Sequence, residues 1–380
     1  MVPTSNSNDG VLPHDLLHDI LLRLPARPLC RFRAVCRPWR ALLSDPRFAD
    51  AHAARHPDPH VAVVVSGRLN SFGRELVDVY LVDASSGDVV KRVCAGRCER
   101  PNEVSTHGGM VLLVDNNQML RVLDPASGAV PLVPDYKDHP NNCSFTLGRT
   151  ASTGEYKVLR IRSDKDNWGE RQVICCSVLT LGRGHLARWR NVPNPPQNVI
   201  TERRLVAVVD GVAYFVLSMP YMHDRSGSDW IAAFDLEAEQ WQPDLIGGPP
   251  ETRNGVLRVS LAELRGSLVV AQDGHRAATL DLWFLLAGSG DGKVGQQHWS
   301  KQYTVTMPYH GRPWRLWEES AEPVVVLDDG RIVFWVWPRG SSRGGVMRVY
   351  DPITGGQTDV AAEAKCTHVG VYTGSLLRLP

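Results

Sequence analysis

Leu12-Pro13-His14-Asp15-Leu16-Leu17-His18-Asp19-Ile20-Leu21-Leu22-Arg23-Leu24-Pro25 is a helix written between two prolines. Leu16, Leu17, Ile20, Leu21 and Leu24 recur at helical spacing, which places them on one stripe. Pro13 suits a helix start because its missing N–H has no intrahelical partner there, and Asp15 and Asp19 favour the positive end of the helix dipole. Pro25 stops the run. Working outward, Pro28 opens a second short helix through Leu29, Phe32 and Val35, and Pro38 fits the first turn of a third carrying Trp39, Leu42 and Leu43. Asp45-Pro46 breaks that one; Phe48, Ala51 and His52 suggest a fourth before the polar link Arg55-His56-Pro57-Asp58-Pro59. So small a helical unit buries too little apolar surface to stand alone easily. It either needs a partner surface or packs as a cap on the rest of the chain, and periodicity leaves both open.

The same run, continued by Arg31-Phe32-Arg33-Ala34-Val35-Cys36-Arg37-Pro38-Trp39-Arg40 and Leu43-Ser44-Asp45-Pro46-Arg47-Phe48, closely resembles the F-box, in the form found in the large plant families. It keeps the Leu-Pro start, the Ile-Leu-x-Arg-Leu-Pro helix end, the Val-Cys-x-x-Trp core and the Asp-Pro-x-Phe exit. It departs at His14, where the family often has an acidic residue, and at Pro38, where it has a small polar one. The resemblance implies docking on the adaptor subunit that joins F-box proteins to a cullin scaffold, through Leu12, Pro13, Leu16, Ile20, Leu24, Leu29, Val35 and Trp39. The competing reading is that Leu17, Leu21, Phe32 and Trp39 form the unit's own core.

Beyond Pro59 the text changes to short apolar runs punctuated by Gly, Asp, Asn and Pro, the mark of many short strands. One unit recurs: Val79-Tyr80-Leu81-Val82-Asp83-Ala84-Ser85-Ser86-Gly87, Val122-Leu123-Asp124-Pro125-Ala126-Ser127-Gly128 and Val349-Tyr350-Asp351-Pro352-Ile353-Thr354-Gly355, with variants around Thr180, Asp235 and Leu285. Steps of 41 to 66 residues separate these six markers, which is propeller-blade size, because one small sheet cannot bury both faces until neighbours flank it. Asp210-Gly211 and Asp329-Gly330 lie between apolar strands and supply the positive φ angles of two-residue hairpin turns. Trp189, Trp241 and Trp299 follow a unit by a few residues and read as packing between blades rather than ligand stacking. The run from Thr367 to Leu379 is expected to pair near Val61–Val65 and close the ring, removing exposed edges. This region resembles the propeller-like F-box-associated domain of plant F-box proteins. The expected fold is a small all-α module of three to four helices followed by an all-β domain, a six-bladed or alternatively seven-bladed β-propeller. The boundaries are a lead-in at 1–10, the F-box at 11–56, a linker at 57–60 and the β-domain at 61–380.

Lys plus Arg (42) nearly balances Asp plus Glu (41), so no basic surface excess points to nucleic acid. The polar N-terminus is not a secretory signal, and no apolar run reaches the length of a membrane-spanning helix. Eight scattered cysteines, Cys30, Cys36, Cys94, Cys98, Cys143, Cys175, Cys176 and Cys366, read as thiols of an intracellular chain; Cys94 and Cys98 lack the second ligand pair that zinc needs. No cofactor or metal is expected, and the expected location is cytoplasmic, nuclear or both. Gly288-Ser289-Gly290-Asp291-Gly292 and Gly340 to Gly345 open no helix and read as loop tips, not as a nucleophile elbow or phosphate loop. Target contact is expected in loops: Asn141-Asn142, Asp164 to Arg171, Tyr221 to Asp229, and above all Tyr309, His310, Arg312, Trp314, Arg315 and Trp317, since Trp, Tyr and Arg dominate binding hot spots. The expected function is a non-catalytic receptor subunit of an SCF-type ubiquitin ligase with an unidentified protein target; the alternative is a propeller that binds a small molecule or sugar, or is an enzyme, with incidental N-terminal helices.

Overall fold

The computed structural model describes residues 13–24, 26–55, 60–69, 75–97, 101–115, 120–125, 143–165, 171–181, 188–218, 229–250, 259–273, 279–286, 297–306, 319–338, 344–361 and 366–373. Two compact units divide at Asp58/Pro59. The first carries α1 (His14–Leu22), α2 (Ala26–Phe32), α3 (Arg37–Leu43) and α4 (Pro46–Arg55). Pro13 caps α1, its carbonyl accepting from Leu17 N–H at 3.0 Å. Pro38 sits in the first turn of α3, after an extended Cys36. The second helix starts at Ala26, ahead of the expected Pro28.

The second unit, Pro59–Tyr372, is all strand apart from one short 3-10 turn among the described residues. Six antiparallel sheets follow one another along the chain. The first blade orders Cys366–Tyr372, His60–Leu69, Glu75–Asp83 and Val89–Arg97; the second has Pro101–His107, Met110–Asp115 and Leu120–Leu123. The third has Cys143–Arg149, Tyr156–Lys165, Arg171–Leu181 and Arg190–Val192; the fourth Val206–Val209, Val212–Val216, Asp229–Asp235 and Gln240–Trp241, with Ile246–Gly247 also on Asp229–Asp235. The fifth has Val259–Leu264, Ser267–Asp273, Thr279–Leu286 and His298–Thr306, and the sixth Glu319–Val326, Ile332–Pro338, Val346–Tyr350 and Gln357–Ala361. Each first strand touches the first strand of the next sheet, and the sixth returns to the first, so the cycle closes into a β-propeller. Among the described residues five sheets have four or five strands and the second has three, so six sheets stand against the expected six or seven blades and no seventh occurs there.

Closure joins the first and last strands of this unit among the described residues. Cys366–Tyr372 pairs antiparallel with His60–Leu69, with Val61 opposite Val371 and Val63 opposite Val369, as the sequence reading expects. In the other blades a hairpin turn joins the first strand to the second; in the first blade the chain instead enters at His60 and leaves at Tyr372.

Strand alternation explains why the sheets need one another. In Ile332–Pro338, Ile332, Phe334 and Val336 pack on fifth-blade residues such as Leu282 and Phe284, while Val333 and Trp335 join Val63, Val82 and Val369 of the first blade. Period-two side chains thus feed two separate cores, one on each side of the blade. The tryptophans fill these seams as expected. Trp241 lies 5.4 Å from Phe215 and 5.2 Å from Phe234, and its Nε1 donates to Pro193 O, beside the third blade's outer strand, at 3.0 Å. Trp299 Nε1 likewise donates to Gly247 O, at 2.6 Å. Trp189 packs beside Phe145, with Arg160 4.6 Å over its ring.

Turn chemistry follows the residues with one correction. Asp210 (φ 46) and Gly211 (φ 79) form the two-residue turn between paired Val209 and Val212. Asp329-Gly330 does not. There only Gly330 is left-handed (φ 87), and Leu327 N–H bonds Arg331 O across a wider loop, which leaves Asp329 free to accept from Arg331 N–H at 3.0 Å. Arg265-Gly266 (φ 53 and 73) supplies a second two-residue turn that composition does not announce.

Candidate functional site

The helical unit has a small core of Leu21, Leu22, Leu29, Leu43, Phe48 and Ala49, against which Leu17, Leu24, Phe32, Trp39 and Leu42 pack. Phe32 and Trp39 meet edge to face at 5.4 Å. Polar bonds tie the helices together: Arg33 Nη2 donates to Leu43 O at 2.7 Å, and the buried His52 Nε2 lies 2.8 Å from Leu24 O.

Against that core, among the described residues, three large apolar side chains remain in solvent: Leu16 at 52% exposure, Ile20 at 45% and Val35 at 62%. Leu16, Leu17, Ile20 and Leu21 of α1 do not act as one stripe. At about 100° per residue they span roughly 140° of the circumference; Leu17 and Leu21 on one edge enter the core, and Leu16 and Ile20, one turn apart on the other edge, face out. The expected docking residues therefore separate. Leu29 is fully buried and belongs to the unit's own core, so its side chain offers no contact surface. Leu24 and Trp39 are half-buried against that core, Pro13 is exposed at the start of α1, and Leu12 lies outside the described residues.

In the propeller, Tyr309, His310, Arg312, Trp314, Arg315 and Trp317 lie outside the described residues, as do Asn141-Asn142, residues 221–228 and most of 164–171. Among the described residues no three His, Cys, Asp or Glu side chains gather to hold a metal ion. Burial pushes the Cys176 thiol up to about 12, which suits a packing residue rather than a nucleophile.

An ionic latch joins the third and fourth blades. The almost fully buried Lys157 donates to Glu239 Oε1 at 2.9 Å, and Arg190 bonds the same carboxylate. Burial works to raise the Glu239 pKa, but the bonds from Arg190 and Lys157 outweigh it and hold the carboxyl below its ordinary range. Glu239 sits at a left-handed φ of 56, an uncommon backbone for a non-glycine residue. Nothing in the sequence pattern marks this group.

Four short helices that leave aliphatic side chains in water, followed by a closed ring of small sheets, make a helical module joined to a β-propeller. The chain belongs to the F-box proteins that carry an F-box-associated propeller: a family model for the F-box associated beta propeller domain matches residues 87–358, and one for the F-box domain matches residues 11–50. Similar curated proteins from Arabidopsis thaliana include F-box/LRR-repeat protein At2g43260, 25% identical over 87% of this chain and 75% of its own length. F-box protein CPR1 is 26% identical over 79% of this chain and 74% of its own. F-box protein At3g07870 is 24% identical over 96% of this chain and 91% of its own.

Proposed function

We propose that this protein is the substrate-recognition subunit of an SCF-type cullin-RING ubiquitin ligase. The observation that carries the reading is the outward pair Leu16 and Ile20, with Val35, on a module whose other large aliphatic and aromatic side chains, among the described residues, are packed. Exposed aliphatic residues on an otherwise satisfied unit are what a partner surface covers. Pro13, Leu24 and Trp39 border the contact, the adaptor subunit is the partner, and through it the chain joins the cullin scaffold. The propeller then holds a target protein close to the ubiquitin-charged enzyme. Rate comes from effective concentration, and this chain supplies no group to the transfer chemistry.

Co-expression of the full chain with the adaptor tests this. The expected result is a stable complex of defined stoichiometry on size exclusion. A full chain that melts cooperatively yet elutes separately from the adaptor overturns the reading.

A further inference from the structure

A cavity of about 380 Å³ opens where the first-to-second-strand hairpins of four successive blades converge. Each blade contributes one element: His107 from the second, the turn from Arg149 to Gly154 from the third, Asp210-Gly211 from the fourth, and Glu263 with Gly266 from the fifth. Its size lies at the lower end of ligand sites, roughly 300 to 1,000 Å³. That suits one side chain better than a secondary-structure element.

Charge decides the ligand class. Arg149 brings one positive charge, held on its own turn with Nε donating to Gly154 O at 3.0 Å and the guanidinium 5.8 Å over the Tyr156 ring, against the two carboxylates of Asp210 and Glu263. His107 adds no charge near neutrality, because burial and the neighbouring Arg149 bring it down to about 4. Asp210, exposed at the rim, and Glu263, half-buried, have no cation partner among the described residues. Among the described residues Glu263 accepts the Gly266 N–H, at 2.7 Å, and burial, with Asp210 nearby, raises its pKa. An anion would meet two carboxylates, an apolar group would strand them, and the ligand set for a metal is missing among the described residues. An organic cation satisfies both.

We propose that this cavity takes a lysine or arginine side chain from a segment of the target, seated between Asp210 and Glu263; the inference rests on the receptor reading above and names the chemistry of its target.

The test uses the immobilised full chain, already scored for adaptor binding, to select a displayed random peptide library. The dissociation constant of a selected peptide is then compared with that of its Lys/Arg→Gln version. Asp210→Asn/Glu263→Gln is the decisive variant, since Asn-Gly supports the same hairpin turn and the glutamine oxygen still accepts from Gly266; exposed Asp244→Asn is the control. Selected peptides are expected to carry a basic residue whose replacement weakens binding about tenfold or more in the wild type. That difference should vanish in the double variant and persist in the control. Peptides without a basic residue, no selected binder, or a double variant that still discriminates would each overturn the proposal. Adaptor binding by the same preparations separates the outcomes: a chain that binds adaptor without basic selectivity sinks only the pocket, and one that fails to bind adaptor sinks the receptor reading.

Discussion

Leu16→Ala/Ile20→Ala is the change that best separates docking from folding. Fully burying an aliphatic side chain is worth about 1.5 to 3 kcal/mol relative to exposure. Leu16 and Ile20 are half-covered already, at 52% and 45% exposure, so a partner gains about 1 kcal/mol from each by area, and more where it fills a pocket. Together the two truncations should cost about 2 to 3 kcal/mol of binding, a loss of roughly 30- to 150-fold in affinity for the adaptor. Folding should change little, because neither side chain belongs to the core cluster. Leu29→Ala provides the contrast. With no exposed surface, it should lose about 2 to 5 kcal/mol of stability and unravel the module, abolishing binding through folding. Isothermal titration against purified adaptor, paired with circular dichroism melts, reads both quantities. Wild-type affinity in Leu16→Ala/Ile20→Ala with an unchanged melt would refute the assignment of the face; lost affinity with a melt as damaged as that of Leu29→Ala would refute the claim that these residues lie outside the core.

Three further outcomes follow from the propeller. Gly370→Ala should lower the melting temperature through about 1 to 3 kcal/mol of overpacking, because an added Cβ meets Thr106 Oγ1 at 1.6 Å and Thr106 Cβ at 2.6 Å; unchanged calorimetry would contradict the close approach of the first two blades. Glu239 titrates below its ordinary range, so its contribution is fully present above about pH 5 and is lost as pH falls through the lowered folded-state value. Glu239→Gln should therefore flatten the acid limb of stability against pH, and identical limbs in denaturant titrations would remove the latch from the argument. Arg203 donates to Val369 O at 2.6 Å and to Glu322 at 2.7 Å, so Arg203→Met should speed hydrogen exchange in Cys366–Tyr372 while sparing the fifth blade. Uniform acceleration across all blades would count against it.

The propeller was legible because its repeat is enforced by turns. Asp83, Asp124, Thr180, Asp235, Leu285 and Asp351 all fall within or just after the third strand of their sheets. At Asp83 and Asp351 the carboxylate accepts amides two and three residues on, and Gly87 and Gly355 close the turn at left-handed φ. That chemistry is local, so the residue types announce it. The division of α1 into core and exposed edges was not legible, because Leu16 and Leu17 are chemically alike and only the placement of α4 decides which is covered. The pocket was equally hidden. His107, Arg149, Asp210 and Glu263 come from four successive blades, and only the packing of each blade on the next brings them together.

That closure also sets an order of events during synthesis. The docking helices are complete by Arg55, whereas the ring cannot shut until Tyr372 has been made. At roughly 5 to 20 residues per second, about 15 to 60 seconds separate the two. Through that interval the strand His60–Leu69 has an unpaired edge, waiting for the partner that Cys366–Tyr372 provides. On the receptor reading proposed above, a nascent or C-terminally clipped chain would carry finished docking helices and an open sheet, occupying an adaptor while offering no target face. A premature stop near residue 365 should therefore behave as a competitor of the intact protein rather than as a simple loss.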